Sequence, residues 1–360
     1  MALSFDKRII GYGALNLHFD RGLGASGATG GKTLLTFIRS LYKKVNHVKV
    51  IIFRKATAEV PAENAIQLYQ PDGTINQALI DNLRALVEEA RRLEPQFWVQ
   101  ICVWHHQAIA DQREYPDNAP AVLAPNWTVG AAKRLQDYYA PSASRQAAFA
   151  EHKRLFERIA REFSGYDNVL FEVGNEMRIW NDDRLPDSDQ LDPGKAGDER
   201  NLKAWLAGNL QALRGAASRP IRVCTSSGID NEYIFFKPSS GGLDVDFYDF
   251  HAGQWGMTDG TRARNPDKTS TKYPAGIRGC RDNAAVYKPG AKVLINTDGL
   301  FGPEKLETSA EFAQYMELWV REAFQKGVSF VTKGFYPPGV ADISKPMLNV
   351  LERVANSIPE

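Results

Sequence analysis

Cysteine is scarce in this chain: Cys102, Cys224 and Cys280 are the three it has in 360 residues. An odd number without metal-like spacing argues against a disulfide framework or a thiolate metal site. Cys102 and Cys224 fall in strand-like apolar runs, so they read as small buried hydrophobes. An excess of charge of either sign is missing too. With 44 basic and 43 acidic residues the formal net charge is +1, which gives no electrostatic reason to expect nucleic acid or an anionic membrane surface as a partner. No stretch approaches the roughly 18 consecutive apolar residues of a membrane-spanning helix. The N-terminus, M-A-L-S-F-D-K-R-I-I-G-Y-G, lacks the basic flank, apolar core and cleavage site of a signal peptide. The chain as given therefore reads as soluble, either cytoplasmic or the mature form of a secreted protein. Internal repeats and low-complexity tails are absent as well.

What is present is an ordinary globular composition, 43% hydrophobic and 24% charged, with enough apolar mass for a sizeable core. Eight strand-like runs occur in order, near residues 8–11, 48–53, 97–104, 169–173, 221–225, 245–250, 292–296 and 328–332. Helical periodicity separates several of them, over 76–93, 144–163 and 309–325, with a closing helix over 342–358. That alternation argues for a parallel sheet, and eight is the number a closed barrel needs. The expected fold class is α/β, a single (β/α)8 barrel domain over residues 1–360. Segments 107–140, 231–244 and 253–291 are rich in turn residues or lack helical period, and read as long irregular loops above the barrel mouth. Residues 26–33, S-G-A-T-G-G-K-T, resemble a phosphate-binding loop, but Ser26 stands where its first Gly belongs and no clear strand precedes it. They read as a flexible loop after the first strand.

In such a barrel the loops at the strands' C-terminal ends build the active site. Here those ends carry Arg54 after the second run, His105 and His106 after the third, Asn175 and Glu176 after the fourth, His251 after the sixth and Asp298 after the seventh. The fourth is the clearest. In V-L-F-E-V-G-N-E-M-R an apolar run stops at Gly174, and an amide and a carboxylate follow where a buried strand would surface. A plainer reading makes Asn175 a turn residue, Glu176 an ordinary polar terminus and Asp298-Gly299 a simple turn.

These tip motifs resemble those of the clan A glycoside hydrolases of the cellulase-like kind, represented by family 5. The resemblance runs over nearly the whole chain as a strand order and is specific only in the tips. It implies Glu176 as the acid/base, with its pKa raised by burial, and Asn175 as a hydrogen-bonding partner of a sugar 2-hydroxyl. It also implies Arg54 as an orienting cation, and His105 or His106 together with His251 as groups lining the cleft. Strand alternation sends one of the adjacent histidines inward, and His105 is preferred. Three departures stand out. Asp298 occupies the slot of the usual nucleophilic Glu, one methylene short. Ala252-Gly253 follows His251 where the family has a Tyr. Lys333, Phe335 and Tyr336 follow the eighth strand in place of the usual Trp. Retaining enzymes hold their carboxyl groups about 5–5.5 Å apart and inverting ones about 6.5–9.5 Å. Asp298 therefore leaves three readings open: a backbone advance that restores direct attack, a water-mediated inverting reaction, or an inactive site.

Trp180, Trp127, Trp255 and Tyr336 fall in segments read as mouth loops, where aromatic faces can stack on sugar rings or pack a lid. Trp98, Trp205 and Trp319 lie in strand or helix patterns and read as core. The implied activity is hydrolysis of O-glycosidic bonds in a β-linked oligo- or polysaccharide, with a carbohydrate as partner and no cofactor or metal. The rival is a glycan-binding or structural protein on the same barrel with impaired catalysis.

Overall fold

The structure, a computed structural model, describes residues 10–16, 35, 38–39, 46–52, 74–93, 97–104, 139, 146–175, 196–227, 243–251, 255–258, 261–264, 292–296, 329–332 and 353. Eight strands close into a barrel: β1 (Ile10–Asn16), β2 (His47–Ile51), β3 (Trp98–Cys102), β4 (Val169–Glu172), β5 (Arg222–Ser227), β6 (Phe247–His251), β9 (Lys292–Asn296) and β10 (Ser329–Thr332). Neighbours in the ring run β1-β10-β9-β6-β5-β4-β3-β2. Every pairing around the ring is parallel, so all eight C-terminal ends face one way. Between β1 and β2 the register slips from Tyr12↔Val48 to Leu15↔Val50, one extra residue on β1 at Gly13-Ala14. β1 continues past residue 11, where its strand-like run ends, to Asn16.

The helices follow from periodicity. α1 (Gln77–Leu93) buries Leu79, Ile80, Leu83, Leu86, Val87 and Ala90, which recur at three- and four-residue steps. Asn76 caps it, its Oδ1 accepting from Ala78 N at 3.1 Å, and Arg91 and Arg92 sit in the last turn, where cations suit the helix dipole. α2 (Gln146–Phe163) buries Leu155, Phe156, Ile159 and Phe163. α3 (Ala196–Ala216) buries Leu202, Leu206, Leu210 and Leu213. The side chain of Asn168 ties two elements together by donating to Val87 O and Phe97 O, each at 3.1 Å. Among the described residues no helix is long and apolar enough to cross a membrane.

Strand alternation sorts the buried side chains. Trp98, Leu170, Cys224 and Phe247, from four adjacent strands, form one apolar cluster. Two residues further along each of those strands the composition turns polar, and that polar layer occupies the barrel interior: Lys49 on β2 reaches Asp249 on β6, four places away in the ring. Trp98 and Trp205 are each 5% exposed, and Cys102 and Cys224 are free and fully buried, as their sequence contexts imply.

One expectation is corrected. The segment 253–291, read as irregular, contains an antiparallel hairpin of β7 (Trp255–Thr258) and β8 (Thr261–Arg264), with Thr258 opposite Thr261. The two residues between them are Asp259 and Gly260, a pair that tight two-residue hairpin loops favour. Trp255 thus opens a strand rather than lying in an irregular loop.

Candidate active site

β4 does not end abruptly at Glu172. Val173 N donates to Cys224 O at 3.0 Å and Asn175 N to Trp104 O at 2.7 Å, while Gly174 O accepts from Ser226 N at 3.0 Å. Bonds to both neighbours therefore hold the chain, through a bend at Val173, up to Asn175. This anchors the Gly-Asn pair at the strand's C-terminal end, with Asn175 only 1% exposed.

Beneath Asn175 lies a cluster of ionisable and polar side chains. Lys49 Nζ is 2.9 Å from each carboxylate oxygen of Glu172, 3.3 Å from Asp249 Oδ2 and 2.6 Å from Asn175 Oδ1. Gln100 Nε2 donates to Glu172 Oε2 at 2.9 Å and Asp249 Oδ2 at 3.1 Å, and Ser226 Oγ donates to Glu172 Oε1 at 2.8 Å. Lys49, Gln100, Glu172 and Ser226 are fully buried. Desolvating such charges costs several kcal/mol per ion, which only close pairing and saturated hydrogen bonding offset.

The pattern of donors fixes protonation states. Carboxylates only accept, so Gln100 turns its NH2 toward Glu172 and Asp249 and leaves its Oε1 facing His47 Nε2 at 2.9 Å. His47 must then carry its proton on Nε2. Its Nδ1 has no hydrogen-bond partner among the described residues, which suits a bare ring nitrogen. Burial is the main reason that the imidazole's pKa falls to about 4, with the nearby Lys49 ammonium adding to the effect against the pull of Gln100 and Asp249. For Lys49, burial alone would favour loss of its proton, but Glu172 and Asp249 outweigh it and hold the ammonium's pKa well above the ordinary value. Burial, then Glu172, pushes the thiols of Cys102 and Cys224 well up, so both stay protonated.

An aromatic group backs the adjoining strand end. Trp104, just past β3, packs its ring 4.3 Å from His152 of α2 and 5.0 Å from Trp205 of α3, and donates from Nε1 to Tyr139 Oη at 3.3 Å. Trp205 Nε1 donates to His152 Nδ1 at 2.9 Å. Burial raises the Tyr139 phenol's pKa above its usual value. These contacts seat Trp104 between the barrel and its outer helices, holding the carbonyl that Asn175 N bonds.

Of the candidate site residues singled out in the sequence, the structure places three. Asn175 is the buried tip of β4. His251 ends β6, in register with Asn296 of β9, two residues before Asp298 in the chain. Trp255 begins β7. Arg54, His105, His106, Glu176, Trp180, Asp298, Lys333 and Tyr336 lie outside the described residues, as do Trp127, Trp319 and Cys280. Among the described residues no group of three or more His, Cys, Asp or Glu could hold a metal ion. Lys49 fills the place between Glu172 and Asp249 that a cation would take.

The interior residues Lys49, Gln100, Glu172, Ser226 and Asp249 went unmarked in the sequence reading. Their signal was a polar residue within or at the end of successive strands, in H-V-K-V-I, W-V-Q-I-C, V-L-F-E, R-V-C-T-S-S and F-Y-D-F-H. Each looks like the solvent side of an alternating strand. In a closed barrel with helices outside, that side faces the interior.

No protein-family model matches the chain, and no curated protein sequence matches it. Solved structures do. A GH5-4 broad-specificity endoglucanase from an uncultured bacterium superimposes with a TM-score of 0.61 at 13% identity, over 98% of this chain and 94% of the other. A family 5 xyloglucanase from Paenibacillus pabuli gives 0.57 at 14%, over 96% and 98%. An endo-1,4-beta-mannanase from Rhizomucor miehei gives 0.62 at 13%, over 99% and 97%. The likeness extends along almost the full length of both partners in each case, and the chain has the (β/α)8 barrel fold of these glycoside hydrolases.

Proposed function

We propose that the protein is a glycoside hydrolase, a single barrel domain that cleaves O-glycosidic bonds of a β-linked oligo- or polysaccharide without cofactor or metal. The observation that carries this reading is the placement of Asn175: a buried amide at the C-terminal end of β4, its oxygen engaged by Lys49, followed in the chain by Glu176. With the oxygen taken, the NH2 is the end with which Asn175 can meet a sugar hydroxyl. Glu176 protonates the leaving oxygen, and Asp298, two residues beyond β9, supplies the opposing carboxylate. β4 and β9 lie three places apart in the ring with parallel ends, as two carboxyl groups flanking one bond require. Arg54, His105 or His106, and His251 line the cleft, and Trp180, Trp255, Lys333 and Tyr336 contact the sugar chain. Fold neighbours that include an endoglucanase, a xyloglucanase and a mannanase support the substrate class.

A second reading rests on Asp298 and Ala252-Gly253, which replace the Glu and Tyr of the family pattern: a glycan-binding protein with impaired hydrolysis. Reducing-sugar release from a cellulose derivative, xyloglucan, lichenan and mannan, with wild type and Glu176→Gln side by side, separates the two. Release that collapses in the variant supports the hydrolase, and the anomer formed first assigns Asp298 as nucleophile or base. Binding without release supports the second reading, and neither binding nor release sinks both.

A further inference from the structure

The interior cluster makes one contact that the hydrolase reading, on which this inference rests, uses for the orientation of Asn175 without assigning a task to Lys49 itself. The bond from Lys49 Nζ to Asn175 Oδ1, at 2.6 Å, is shorter than the contacts of the same ammonium with Glu172, at 2.9 Å, and Asp249, at 3.3 Å. An ammonium has donors only, so the amide end that faces it must be the oxygen. A half-turn of the amide about its last torsion would set NH2 against NH3+, with both desolvated. Ser226, the other group near Oδ1 at 3.5 Å, has one hydroxyl proton and aims it at Glu172 Oε1, 2.8 Å away. The ammonium is itself pinned from behind. Glu172 and Asp249 hold it, and Gln100 bridges those two carboxylates.

We propose that Lys49 is a positioning residue that locks the Asn175 amide in the one orientation presenting NH2 to substrate. Asn175 then discriminates for a sugar hydroxyl able to accept a hydrogen bond, and Lys49 acts on the reaction only through Asn175. The lock lies in the interior of β2, remote in sequence from the tip it controls, and connects the barrel's charged layer to its mouth.

A double-mutant cycle tests this with the polysaccharide that the wild type cleaves, rates being normalised to folded protein. Lys49→Met is expected to lower kcat at least tenfold with KM changed less than threefold. Added to Asn175→Ala it should cause no further loss, because Lys49 has nothing left to orient. Losses that multiply in the double variant overturn the proposal, since a purely structural lysine would act independently of Asn175. A second measurement needs no activity. The side-chain 15N–1H pair of Asn175, identified by its disappearance in Asn175→Ala, should shift in Lys49→Met, and an unmoved pair overturns the proposal. If Lys49→Met does not fold, the Lys49 ammonium signal is compared between wild type and Asn175→Ala: a shift supports the contact and an unchanged signal refutes it. Should the wild type cleave no glycan, the hydrolase reading fails while these spectra still decide the role of Lys49.

Discussion

Replacing Lys49 with Met tests the energetics of the barrel interior directly. The substitution nearly conserves volume and removes the ammonium that lies within 3.3 Å of both Glu172 and Asp249. Glu172 keeps two neutral donors, Gln100 and Ser226, and Asp249 keeps Gln100, so the loss falls on uncompensated charge rather than on packing. Removing one partner of a buried ion pair costs about 3–5 kcal/mol. With a urea m-value of about 3 kcal/mol/M, that moves the unfolding midpoint down by about 1 M or more at pH 7. Intrinsic tryptophan fluorescence and far-UV circular dichroism, followed across a urea titration, measure it. The pH dependence has a definite sign. Without the cation a buried carboxyl gains a folded-state pKa above its unfolded value, so the folded variant holds a proton that the unfolded chain has lost. Its stability deficit should widen as pH rises from about 4 toward neutrality and narrow in acid. The variant Lys49→Met/Glu172→Gln should regain part of the loss. A midpoint at pH 7 within about 0.3 M of wild type, roughly 1 kcal/mol or less, would refute the claim that these charges depend on one another.

His47 sets a second pH dependence. Its folded pKa of about 4 lies below the ordinary 6.5, so the unfolded chain takes up the proton first, and this group's contribution is complete above about 6.5 and lost as pH falls toward 4. The loss is on the order of 3 kcal/mol, and urea midpoints measured from pH 7 to pH 4 should fall less steeply in His47→Gln than in wild type. Glu176→Gln is expected to lower glycosidase turnover about 10²–10⁴-fold, and Asp298→Asn by at least as much if Asp298 attacks directly; an equal rate in Glu176→Gln removes the acid/base assignment. Leu170→Ala opens a void within the buried cluster of Trp98, Leu170, Cys224 and Phe247 and should cost about 2–5 kcal/mol in chemical unfolding, with no change in pH dependence.

The strand order was legible because the eight barrel strands are short apolar runs bounded by turn residues or helical periodicity, and V-L-F-E-V and K-V-L-I-N suit buried parallel strands. The place of Asn175 at the end of β4 was legible because Gly174 interrupts an apolar run just before it. The interior charges were not. A lysine amid valines in H-V-K-V-I reads as the wet side of a strand, and only closure of the ring shows that β2, β4 and β6 turn Lys49, Glu172 and Asp249 toward one another. No local pattern links residues 49, 172 and 249, because their proximity comes from the barrel's curvature. The hairpin of β7 and β8 was missed for a simpler reason. Its strands, W-G-M-T and T-R-A-R, carry little apolar alternation, so the Asp259-Gly260 turn signal stood without the flanking pattern that usually accompanies it.

Ring closure has a consequence for how the protein is made. β1 bonds β2 on one side and β10 on the other, with Ile10 opposite Phe330 and Tyr12 opposite Thr332. A chain emerging from the ribosome can assemble β1 through β9 in order, yet both flanks of that partial sheet keep unsatisfied backbone groups until β10 arrives between them. Such bare flanks are templates for pairing with other chains. Nascent chains stalled short of β10 should therefore bind chaperones and cross-associate. Release of the last strand is the step that converts an open, adhesive sheet into a closed one.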